Sequence, residues 1–177
     1  MNGRLSWPRS VLLSVSGCVV ALSLAGCSPE FGAVSGLSVD ASGRPIGLLL
    51  TCSRDARLDV ALLQDYTVTA TPSTVGEWTA KTALTGTGSV NLSEPGPGWS
   101  TKTQLGTLVD GRRYVISWLS TSNRWASEAV SFTVADLAKI PPGQVRFVDS
   151  VSADRITPHY RVATMADFQG QECVIRQ

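Results

Sequence analysis

From Val34 onward the chain reads mainly with a period of two. Glu77–Leu84 places Trp78, Ala80, Thr82 and Leu84 on one face, and Tyr66–Thr71 sets Tyr66, Val68 and Ala70 against three threonines. Successive side chains of a strand point to opposite faces, so these runs predict half-buried strands. Ile46 to Leu50 is almost continuously apolar, which predicts a strand covered on both faces. Further strands are expected over Val34–Asp40, Pro45–Cys52, Arg57–Leu63, Trp99–Leu105, Arg113–Ser120 and Ala126–Val134. The stretch Asp40-Ala41-Ser42-Gly43-Arg44 suits a type I turn followed by a left-handed residue, a common hairpin connection. Ser93-Glu94-Pro95-Gly96-Pro97-Gly98 reads as a loop. Eight or nine short strands at this spacing predict an all-β domain, a β-sandwich, over residues 34–134.

Residues 135–177 exceed what such a sandwich needs. A helical turn over Ala135–Ile140, stopped by Pro141-Pro142-Gly143, a strand over Val145–Asp149, a turn at Thr157-Pro158-His159-Tyr160 and a brief helix over Ala163–Phe168 are expected. Some forty residues seldom bury an independent core, so the segment is taken as a short mixed extension packed on the sandwich.

The N-terminus follows another pattern. Arg4 and Arg9, with no acid among the first ten residues, precede an apolar run from Val11 to Ala25. This is the plan of a signal peptide, and the run falls short of the roughly 20 apolar residues of a spanning helix. It ends in Leu24-Ala25-Gly26-Cys27, which resembles the lipobox of bacterial lipoproteins. The resemblance implies cleavage after residue 26, lipid on Cys27 and attachment to the extracytoplasmic face of the cell membrane. Residues 27–33 then form a short lipidated tether. A second match, Val15-Ser16-Gly17-Cys18, follows too few apolar residues to compete.

Processing would remove Cys18 and acylate Cys27, leaving Cys52 and Cys173 in an oxidising compartment where disulfides persist. A bridge between them would close a loop of about 120 residues, valued at roughly 4–5 kcal/mol by chain entropy.

Leu108, the Asp110-Gly111 turn and Tyr114, with Ile116 and Trp118 continuing inward, resemble the tyrosine-corner region of fibronectin type III and related immunoglobulin-like domains. The likeness implies an immunoglobulin-like sandwich in which the hydroxyl of Tyr114 bonds nearby backbone. Export, anchoring and this corner together resemble the lipoproteins of high-GC Gram-positive bacteria. The basic residues, twelve arginines and three lysines, fit a GC-rich genome.

Fifteen basic residues face fourteen acidic ones, so no basic patch supports nucleic-acid binding. His159 is the sole histidine, and no nucleophile elbow, zinc helix, phosphate loop or dinucleotide fingerprint occurs. No catalytic residue, cofactor or metal is therefore expected. The preferred reading is a non-enzymatic binding or structural module, with an envelope protein or glycan as partner. A small envelope hydrolase built on His159, with Asp149, Asp154 or Asp167 nearby, is the alternative. Among the tryptophans, Trp78 and Trp118 read as core. Trp99, after the Pro/Gly loop, and Trp125, after the polar tip Thr121-Ser122-Asn123-Arg124, are the candidate binding residues.

Overall fold

The computed structural model describes residues 28–67, 71–151 and 157–171. The strands are β1 (Glu30–Val39), β2 (Pro45–Thr51), β3 (Leu58–Asp65), β4 (Ser73–Leu84), β5 (Thr87–Asn91), β6 (Trp99–Thr103), β7 (Tyr114–Leu119), β8 (Trp125–Glu128), β9 (Val130–Phe132), β10 (Gln144–Val151) and β11 (Pro158–Thr164). Two short helices are added, α1 (Val134–Leu137) and α2 (Met165–Gly170). The expected all-β class holds. The strands join in one eleven-stranded sheet that is nearly closed into a barrel.

The hydrogen-bonded path runs β11-β10-β1-β8-β7-β3-β4-β6, with β2 joining β1 to β5 and β9 alongside β7. Strand β1 is the hinge of the arrangement. One edge pairs antiparallel with β2 along its C-terminal seven residues, Ala33 to Val39. The remaining pairings are to β8, parallel, near its start and to β10, antiparallel, at Gly36 and Leu37. The register slips between Phe31 and Ala33, at Gly32.

The apolar run in β2 is covered on both faces, as its sequence predicts. Leu49 belongs to the main core with Trp78, Trp118, Ile116 and Leu63. Its neighbour Leu48 points the other way, into a smaller cluster with Val145, Phe147 and Phe168. Strand β10 and helix α2 thus form a lid on the outer face of β1 and β2. Gly36 lets that lid seat closely, since a Cβ there would lie 2.7 Å from Val145 Cγ1 and 3.0 Å from Phe168. Both helices begin with a capping box, Thr133 with Asp136 and Thr164 with Asp167.

Several turns follow their chemistry. Gly43 has φ +77, its N–H donates to the carbonyl of Asp40, and the Asp40 carboxylate accepts from the amides of Ser42 and Arg44. Gly111 has φ +75, also a left-handed position that glycine fills without strain. Beyond it, the buried Tyr114 hydroxyl accepts the Val109 N–H at 2.8 Å, the backbone partner that the sequence called for. Tyr114→Phe removes this bond and should cost about 1 kcal/mol. A lower denaturation midpoint at unchanged slope checks it.

The structure corrects several boundaries. Strand β1 begins at Glu30, inside the segment taken as tether, so only Ser28 and Pro29 precede it among the described residues. Tyr66–Thr71 is not a strand where it is described: β3 ends at Asp65 and β4 starts at Ser73, while residues 68–70 lie outside the described residues. The single strand expected over Ala126–Val134 is two, β8 and β9. The turn expected around His159 is part of β11, and β5 was not foreseen.

Candidate functional site

The start of β1 gathers two loops around it. The amides of Cys52 and Ser53 donate to the carbonyl of Gly32, tying the loop between β2 and β3 to the strand. On the other side the Glu30 amide donates to the carbonyl of Arg124, tying in the tip between β7 and β8. That tip is preset by its own bonds. Ser120 Oγ accepts from the amides of Arg124 and Trp125, both at 2.9 Å, and Asn123 is left-handed at φ +54. From the neighbouring strand β3, the Asp59 carboxylate accepts the amide and hydroxyl of Thr121 at 2.8 Å each. The Asp59 contact was not legible in the sequence, because Asp59 and Thr121 are 62 positions apart.

Trp125 sits beneath this tip, not on it. The residue is 8% exposed, and a Cβ on Gly32 would lie 2.5 Å from its ring. Arg124 covers the ring with its guanidinium 5.4 Å from the centroid. Trp99 is half-buried against the main core, its ring 5.7 Å from that of Trp118. Trp125 is thus buried against its neighbours, while Trp99 keeps partial exposure beside the Trp118 ring.

His159 is exposed on β11, paired in register with Ser150. Asp149 and Asp167 are turned to Arg161, at 3.5 and 3.7 Å. Asp154, Cys27 and Cys173 lie outside the described residues. Cys52 follows β2 directly and is partly buried. Among the described residues no cluster of three His, Cys, Asp or Glu could hold a metal ion, and no helix is long and apolar enough to cross a membrane.

The opposite end of the molecule carries Asp65, the one buried carboxylate among the described residues. It accepts the Thr67 amide at 2.8 Å and pairs with Arg112 at 2.8 Å. Hydrogen bonds from Thr67, then the Arg112 guanidinium, hold its carboxyl below the ordinary carboxylate range against the contrary pull of burial. In the unfolded chain it titrates near about 3.9. Its contribution is thus complete above that value and is lost as pH falls through the lower folded value. Asp65→Asn should therefore lower stability at pH 7 and narrow the gap to wild type in acid. Urea unfolding at several pH values between 7 and 2 checks this, and a gap independent of pH would refute it. Beside Asp65, Val75, Leu105, Leu108, Arg112 and Tyr114 line a shallow cavity of about 260 Å³.

No family model, no curated protein and no solved structure matches the chain.

Proposed function

We propose that the chain is a bacterial lipoprotein, cut before Cys27 and held by lipid on that cysteine at the outer face of the cell membrane. Its domain would act there as a non-enzymatic binding or structural module of the envelope. The observation that carries this reading is Leu24-Ala25-Gly26-Cys27 at the end of the apolar run Val11–Ala25. The near balance of charge favours an envelope protein or glycan as partner over nucleic acid.

The finer fold reading is an immunoglobulin-like sandwich. It is supported by β1 pairing with β2 along one stretch and in parallel with β8 along another, and by the Tyr114 hydroxyl bonded to Val109. A Cys52–Cys173 disulfide belongs to the same proposal, supported by Cys52 not being a free thiol.

His159→Ala is the test of the non-enzymatic reading, and it should leave the cellular role intact. An imidazole acting as general base contributes a factor of about 100 to 10,000 in rate, a loss that complementation would register. His159 is exposed, so the substitution should not disturb folding. A variant that melts normally yet abolishes the phenotype would put a small hydrolase in place of the binding module.

A further inference from the structure

The geometry points to a defined orientation on the bilayer: the end formed by the start of β1, the loop of residues 52–57 and the tip of residues 121–124 lies against the phospholipid headgroups. This rests on the reading of Cys27 as the lipidated residue. Three residue steps separate Cys27 from Glu30, which span at most about 11 Å fully extended. Glu30 is bonded to the tip and Gly32 to the loop of residues 52–57, so the anchor leaves the domain between them. The far end of β1, nine residues on, is about 30 Å away at the usual rise per residue. A tether this short holds the near end at the bilayer, while the far end can stand clear of it.

The side chains at the near end suit the interface. Phe31 is 44% exposed, one of three large hydrophobic residues so exposed among those described. Aromatic rings gain by entering the headgroup region. Arg54, Arg57 and Arg124 are exposed around the same end and can reach lipid phosphates on their long stems. Exposed Glu30 and Asp55 offset much of their charge. Contact is therefore set by the tether and Phe31, with little net attraction to anionic lipid. A consequence is that this loop-bearing end is closed to soluble partners, which must use the far end or the flanks.

The test uses the full lipidated chain with the photoreactive residue p-benzoylphenylalanine at Phe31, Ser122 or Ser42, all exposed positions. Each form is reconstituted into vesicles of phosphatidylethanolamine and phosphatidylglycerol, irradiated, and analysed by mass spectrometry for lipid adducts. Adducts at 31 and 122, loss of adducts at 42, and no weakening in 0.5 M salt are expected. Equal adducts at all three positions, or adducts at 42 alone, would overturn the orientation while leaving the lipoprotein reading intact. An N-terminal peptide from the same sample with unmodified Cys27 would instead remove the reading on which the orientation rests, and the orientation with it.

Discussion

Trp118→Ala is expected to lower the unfolding free energy by about 3–5 kcal/mol, the range found when a buried aromatic is cut to alanine. The indole is fully buried at the centre of the main core and stacks at a tilt on Trp99. Its Nε1 donates to the carbonyl of Leu48 at 2.9 Å, a bond from β7 to the opposite strand β2. The substitution therefore opens a cavity and removes a buried hydrogen bond together. Domains of this size have only about 5–15 kcal/mol in hand, so a large part of the molecule's stability is at stake. Trp118→Phe separates the two effects, since it keeps most of the volume and loses only the bond. Urea unfolding followed by circular dichroism gives both numbers. A loss below about 1.5 kcal/mol for the alanine variant would mean that the site collapses around the gap, against the packing described.

The second large effect concerns the proposed lipid anchor. Cells fed an alkyne-bearing fatty acid should label the wild-type protein, and Cys27→Ser should abolish the label completely. Two acyl chains give stable attachment where one binds only marginally, so the modified N-terminal peptide of the wild type should carry at least two. Equal labelling of the serine variant would place the lipid elsewhere and defeat the lipoprotein reading.

Much of the fold was legible because its strands are local patterns. Tyr114, Ile116 and Trp118 are buried while Val115, Ser117 and Leu119 are less so, the period of two seen in the sequence. Leu48 and Leu49 enter different clusters, as a doubly covered strand requires. The failures were at edges and in long-range fits. Strand β5 buries only Val90 out of five residues, too little apolar signal to separate it from a loop. Strand β11 opens on Pro158 and buries no side chain fully, as an outermost strand can. Tyr66–Thr71 alternates well, yet Asp65 draws Thr67 and Arg112 to itself and ends the strand there. Trp125 looked available because its preceding neighbours are polar. The missing side chain of Gly32, more than ninety positions earlier, makes the slot that the ring fills, and no local pattern reports that.

The pairings of β1 also govern when the fold can be completed. Its first residues meet partners near position 125, and its middle meets partners near 146, so the first strand to leave the ribosome is among the last to be enclosed. Contacts between distant parts of a chain form slowly, because long loops must close before they are rewarded. An early hairpin with β2 is available, but its apolar outer face stays uncovered until β10 and α2 arrive. If the chain is exported as proposed, this order would keep the leading end from completing its final fold, and jamming in transit, before the trailing end is released.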